Sequence, residues 1–209
     1  MFVIPAIFIT LLGSAFAAPV ARQTQPCFVT GSVALPAEVS KGLAALSSVT
    51  CDTSVRQPTL SELIYANLEL SIVQREAVPG VPDVTSGGIS YSSIDFQKSN
   101  LSPVGFALQT FKTPADPASA DLNLLQNQLN TYLAVEAGLR SQPNSSGLLG
   151  RLKGPKFFLQ FQIARVRTAL GENLGVADTV EHQLGKVTKN AVGASAAEIA
   201  QVNALATQL

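Results

Sequence analysis

The chain has 209 residues, of which only 13% are charged, and 14 basic side chains balance 14 acidic ones to a net charge of zero. With no long-range field to draw a polyanion in, no nucleic-acid partner is expected. Trp is absent and aromatic residues make up 6%, which argues against a platform for stacking on sugars.

Residues 1–17 read as a signal peptide. Phe2 to Phe16 are almost wholly apolar, and Ala15-Phe16-Ala17 gives the small-x-small pattern cleaved before Ala18-Pro19, although the α-amino group is the only positive charge ahead of it. The run is short for a bilayer span and no second one follows, so removal is expected and no stable membrane anchor. About 192 residues then remain, enough for a single domain over 18–209.

Texture divides this mature chain near Thr113 into an N-terminal region, 18–113, and a helical region, 114–209. The first holds both cysteines, Cys27 and Cys51. In an oxidising compartment they should pair as a structural staple, since nothing supplies the close Cys-x-x-Cys spacing of a redox or metal site. Closing a loop of that size removes about 3.5 kcal/mol of denatured-state freedom on the chain-entropy model. Pro36 to Leu46 suit one short helix with Val39, Leu43 and Leu46 on a face. From Gln57 to Ala77 there is no glycine, Thr59-Leu60-Ser61-Glu62 makes a capping-box pattern, and Leu60, Leu63, Ile64, Leu68 and Ile72 share a helical face.

Thr85-Ser86-Gly87-Gly88 reads as a turn; it would cradle a phosphate only if a helix began there. Ile89, Tyr91, Ile94 and Phe96 alternate with polar residues, with one slip that suits a bulge in a strand. Val104, Phe106, Leu108 and Thr110 repeat at two, a pattern that suits a second strand or equally the start of a helix. Two sequons, at Asn100 and Asn144, mark exposed loops for glycosylation; Pro103 follows the first, and the second lies in a strong turn signal, which favours Asn144.

Beyond Thr113 the three-four spacing is clear. Asp116 or Ser119 caps a helix to about Arg140 with Leu122, Leu125, Leu129, Tyr132, Leu133 and Leu139 on its apolar face. Pro155 fits the first turn of the next, which should run to Leu170. Leu159, Ile163, Val166 and Leu170 form one stripe of that helix while Phe157, Phe161 and Ala164 fall opposite, so it needs partners on both sides and should sit centrally. A third helix is expected over about Val176 to Asn190, and a last one after Ser195 carrying Ile199, Val202, Leu205 and Leu209. The fold class that follows is mainly α: a C-terminal region like a four-helix bundle with a small, disulfide-stapled, partly extended N-terminal region packed on it.

Chemistry is sparse. His182 is the one histidine; Asp178 lies four residues earlier on the same expected helix, but two ligands make no catalytic centre, and the Glu-x-x-His motifs of a di-metal bundle are missing. No Gly-x-Ser-x-Gly elbow accompanies it. No catalytic, cofactor or metal residue is therefore assigned. The strongest local signal is a run free of acidic residues that holds Arg140, Arg151, Lys153, Lys156, Arg165 and Arg167, flanked by Glu136 and Glu172. It suits an anionic polymer or lipid headgroup, while solubilising charge and helix-dipole pairing give the plainer reading.

At Tyr132 to Ser141, Lys153 to Arg165 and Glu181 to Lys186 the chain resembles uncharacterised small secreted proteins of filamentous fungi. The resemblance covers most of the mature chain and implies secretion with no known activity, so no catalytic residue carries over. It also implies passage from a Cys-Asp-Thr stretch, here Cys51 to Thr53, almost directly into Gly-Val-Pro-Asp-Val, here Gly80 to Val84. Residues 57–77 intervene and read as an insertion, such as an in-frame intron retained in the gene model.

The leading expectation is a secreted, non-enzymatic protein that binds at the cell surface, wall or host interface, with an anionic surface polymer or a host or cell-wall component as partner. A carrier of a small apolar ligand between helices is the alternative, and a hydrolase with dispersed carboxylates the third. An exposed patch on a packed core favours the first, an apolar cavity the second, and a cleft with converging carboxylates the third.

Overall fold

The computed structural model describes residues 25–52 and 76–209. The leader expected at 1–17, and residues 57–75 of the segment read as an insertion, lie outside the described residues; Glu76 and Ala77 belong to a strand. The architecture is mainly helical, with a disulfide in the N-terminal region and a helical C-terminal part.

The N-terminal region is built from short pieces. Helix α1 (Ala37–Gly42) continues into a 3-10 turn, Leu43–Leu46, whose Leu46 is buried. Strand β1 (Thr50–Cys51) pairs antiparallel with β4 (Val84–Ser86), which pairs in turn with β5 (Ile89–Ser90). Gly87 and Gly88, both at positive φ, form the β4–β5 turn, the geometry a two-residue hairpin needs to follow strand twist. Strands β2 (Glu76–Val78) and β3 (Val81–Pro82) make a second small ladder. The Cys27–Cys51 bond spans a sequence separation of 24 and ties the chain ahead of α1 to β1.

One expectation for this region is corrected, and one choice left open by the sequence is decided. After β5 the chain does not stay extended. It coils into 3-10 turns at Tyr91–Ser93 and Phe96–Lys98, the second capped by the Asp95 carboxylate, which accepts from the Gln97 amide. The slip between Tyr91 and Ile94 is thus a turn that lets Tyr91, Ile94 and Phe96 all enter the core. Residues from Pro103 form a helix, α2 (Pro103–Thr110), because the Ser102 hydroxyl caps it by accepting from Gly105 N–H and Pro103 sits in the first turn.

Helix α3 (Leu122–Ser141) starts later than Asp116 or Ser119 would place it. Asp116 instead caps a 3-10 turn, Pro117–Ser119; the chain then runs extended through Ala120, and the Asp121 carboxylate accepts from Leu124 N–H to begin the helix. Helix α4 (Ser146–Ala169) starts well before Pro155, which lies inside it. An interior proline forfeits one amide donor and crowds its predecessor's Cβ. That predecessor is Gly154, which has none. A Cβ there would also come within 3.1 Å of Pro103, so the same glycine lets α2 approach α4 closely.

Helix α5 (Val180–Lys189) is shorter than the expected 176–190. The Thr179 hydroxyl accepts from His182 N–H, and residues 176–178 form a separate turn that leaves Val176 85% exposed. Helix α6 (Ala196–Leu205) opens on a capping box: Ser195 Oγ accepts from Glu198 N–H and the Glu198 carboxylate accepts from Ser195 N–H. The Ser102 hydroxyl donates to the same carboxylate at 3.0 Å, which joins the starts of α2 and α6.

Helix α4 is central, packed against α2, α3 and α5, with apolar residues buried on both sides; Phe157 is half-buried and Leu170, just past its end, is exposed. One hydrophobic cluster runs through both regions, joining Phe28, Val81, Tyr91 and Phe96 to Leu129, Tyr132, Leu159 and Val166. Each such burial contributes roughly 1.5–3 kcal/mol. Tyr132 anchors the joint. It stacks edge-on with Tyr91 at 5.2 Å and Phe111 at 5.8 Å, and its hydroxyl donates to the Ile94 carbonyl at 2.7 Å. At the end of α3, Gly138 admits the N-terminal segment: a Cβ there would collide with Val81 and the Phe28 carbonyl.

Candidate anion-binding cleft

Where α1 and its following turn lie across α3, α4 and α5, they leave a cleft of about 460 Å³. Helix α1 has no buried residue of its own, and its Val39, with Leu43 of the following turn, lines the cleft together with Leu133 and Phe157. All four are half-buried, so an apolar wall remains partly wet. Six ionisable side chains line the same space: Arg140, Lys153, Lys156 and Lys186 against Glu38 and Glu136.

Glu136 organises the floor. One carboxylate oxygen accepts from Lys156 Nζ at 2.7 Å, the other from Arg140 at 2.8 and 3.1 Å. The Glu136 and Lys156 side chains are 6% and 8% exposed, and Arg140 20%. Burial pushes the Glu136 carboxyl up, but the Lys156 ammonium and the Arg140 guanidinium together outweigh it and hold the carboxyl below its ordinary 4.5. For Lys156 the balance runs the other way. Burial pulls its ammonium below 10.5, and the single Glu136 charge that favours the ion is opposed by Arg140 and Lys153. One anion shared by two cations is well satisfied; each cation has only part of a partner.

Lys153 and Lys186 differ from this pair. Neither has a carboxylate within ion-pair distance among the described residues, and both are only partly buried. Lys186 Nζ lies 5.7 Å from the centre of the Phe157 ring, and Lys156 Nζ 4.2 Å from it, within cation–π range. The cleft thus offers two ammonium groups without a carboxylate partner among the described residues, beside an aromatic and aliphatic wall.

The structure divides the basic run of the sequence. Arg140, Lys153 and Lys156 meet at the cleft. Arg151 is exposed on α4 with its guanidinium 5.4 Å from the Phe96 ring. Arg167 pairs with Glu172 at 2.7 Å. Arg165 is 1% exposed and donates to Gln162 Oε1, Thr113 Oγ1 and the Gln208 carbonyl, so it is no part of a binding surface. Burial alone holds that guanidinium below its ordinary value. Six side chains from one acid-free run therefore do not form one surface, because Arg140 lies on α3 and α4, which carries the other five, is buried on several sides and sends them different ways.

Lys186 is the cleft residue that sequence reasoning missed. It lies outside the basic run, and only the packing of α5 on α4 brings it to Phe157. Among the remaining candidates, Asn100 and Asn144 are exposed, with Asn144 in a turn at φ 61°. Asp178 and His182 do not share a helix, since α5 starts after Asp178. No group of three or more His, Cys, Asp or Glu side chains is placed to hold a metal ion among the described residues, nor is any described helix long and apolar enough to cross a membrane.

Comparison with curated proteins returned no match, and comparison with solved structures returned none. One family model matches residues 66–209, so the match begins inside the segment read as an insertion and takes in α2 to α6 and the cleft's α3, α4 and α5 walls. The chain belongs to the family described as Domain of unknown function (DUF7143).

Proposed function

We propose that this is an extracellular, non-enzymatic binding protein, exported behind a leader cleaved after Ala17, that takes an anion-bearing ligand in the cleft between α1 and the bundle. The observation that carries the reading is the pair Lys153 and Lys186, which lack carboxylate partners among the described residues and stand at one cleft with Phe157. The Cys27–Cys51 bond supports the compartment, since disulfides persist in oxidising surroundings. With the resemblance to small secreted proteins of filamentous fungi, this favours action at the cell surface, wall or host interface, with a glycan on Asn144.

The dispersal of the other cations favours a discrete anionic group over a long polyanion. Arg140 and Lys156 are engaged by Glu136, Arg167 by Glu172, and Arg165 is sealed inside. A hydrolase would need two carboxylates of opposed protonation. Of the cleft's two, Glu136 has both oxygens occupied by cations and is held ionised, which suits a structural role.

Retention of the secreted protein on an anionic matrix tests the reading. Binding at low salt that weakens on replacing Lys153 and Lys186 with Gln, and not on replacing Arg151, is the expected result. Retention unaffected by the two lysines would sink it.

A further inference from the structure

We propose that the cleft ligand is an amphiphilic monocarboxylate, a hydrocarbon chain of about eight to twelve carbons, the scale of a small-molecule pocket, with its carboxylate at Lys153 and Lys186 and its tail between α1 and α3. The inference rests on the anion-binding reading above and adds the ligand's chemical class.

Three features of the cleft ask for both ends of such a molecule. First, Val39, Leu43, Leu133 and Phe157 are half-buried and line one space, while α1 contributes no buried residue to the fold. Apolar side chains that converge but stay partly wet gain from a ligand that displaces the water. A bare anion would leave them wet. Second, Lys153 and Lys186 carry charge with no carboxylate partner among the described residues. A neutral hydrocarbon would leave those ammonium groups unpaired beside a drier wall. Third, both Glu136 oxygens are taken up by Arg140 and Lys156, so of the cleft's four cations Lys153 and Lys186 are the two left to meet a ligand's charge. With Lys186 Nζ 5.7 Å from the Phe157 ring, cation and apolar wall adjoin, as the first carbons of a fatty carboxylate require. The volume of about 460 Å³ falls in the range of small-molecule clefts.

Isothermal titration of the full secreted chain tests this with octanoate, decanoate and dodecanoate below their micellar concentrations, with 1-decanol, and with sulfate and polygalacturonate. Affinity should rise about fourfold per added methylene, the equivalent of about 0.8 kcal/mol. Decanoate should bind at least about tenfold more tightly than decanol. Replacing Lys153 and Lys186 with Gln should bring decanoate down to the level of decanol and leave decanol unchanged. Leu43→Ala should flatten the dependence on chain length.

The outcomes separate the two readings. Lysine-dependent binding of sulfate or polygalacturonate with no chain-length dependence keeps the anion site and overturns the amphiphile. Equal binding of decanoate and decanol, indifferent to both lysines, overturns the anion site and the amphiphile together, as does no binding by any probe. Should the double variant fail to fold, the chain-length series and the decanoate–decanol ratio on the unaltered protein still decide.

Discussion

Two turns of α4 bury a cation in opposite ways. At Lys156 the ammonium meets a buried carboxylate, Glu136, on the floor of a cleft. At Arg165 the guanidinium meets only neutral oxygens, from Gln162, Thr113 and the Gln208 carbonyl, and its Nε has no acceptor. The difference follows from the two ions. A guanidinium spreads its charge over several donors, is weakly hydrated and stays protonated, so a fork of neutral acceptors suffices. An ammonium is compact and strongly hydrated, and burial would discharge it without a counter-ion nearby. The Lys156 end therefore needs Glu136, and that carboxylate engages two of the cleft's four cations, whereas the Arg165 end needs none and serves packing.

The largest expected effect breaks the first side. Glu136→Ala leaves Lys156 buried and unpaired and should cost about 3–5 kcal/mol in denaturant unfolding, while Lys156→Met with Glu136→Leu should recover much of that loss. Acid works on the same group. Because the folded protein holds Glu136 below its ordinary 4.5, its contribution is complete above that value and is lost as pH falls through the lower, folded value. The extra slope in a stability–pH profile below about pH 4.5 should vanish in Glu136→Ala.

Removing the disulfide with Cys27→Ser and Cys51→Ser should cost about 3.5 kcal/mol or less. It also sharpens the contrast, since α1 walls only the Lys156 cleft. Hydrogen exchange should rise around α1 and β1, with the amides flanking Arg165 changed least. Next in size, Arg165→Met should cost about 1–3 kcal/mol, less than the loss at Glu136, because it leaves neutral acceptors unsatisfied and no buried charge unpaired. Smallest is Arg167→Ala. Its pair with Glu172 is 39% exposed on each side, so the unfolding midpoint should shift by less than about 1 kcal/mol equivalent.

The helices were legible wherever apolar spacing was uninterrupted, as in Leu125, Leu129 and Tyr132 of α3, and the two-sided burial of α4 followed from its two stripes. Their starts were not. A proline commonly opens a helix, so Pro155 outweighed the glycine-rich turn from Ser146 that opens α4, and Gly154 hid the reason an interior proline is tolerated. The basic run was visible but its division was only partly readable. Arg165 stands four residues after Phe161, on a face already assigned to the interior, and that spacing was the available sign of its burial. Lys186 carried no such sign, because its place beside Phe157 depends on how α5 packs against α4.

The central claim is that packing leaves Lys153 and Lys186, among the lysines at the cleft, available to an anion while Lys156 is held by Glu136. Reductive methylation with carbon-13 followed by NMR tests it directly, with signals assigned through Lys→Arg variants. The account predicts that Lys156 resists modification and that decanoate shifts the Lys153 and Lys186 signals while Lys98, Lys112 and Lys189 stay in place. A readily modified Lys156, or shifts spread evenly over every lysine, would contradict it.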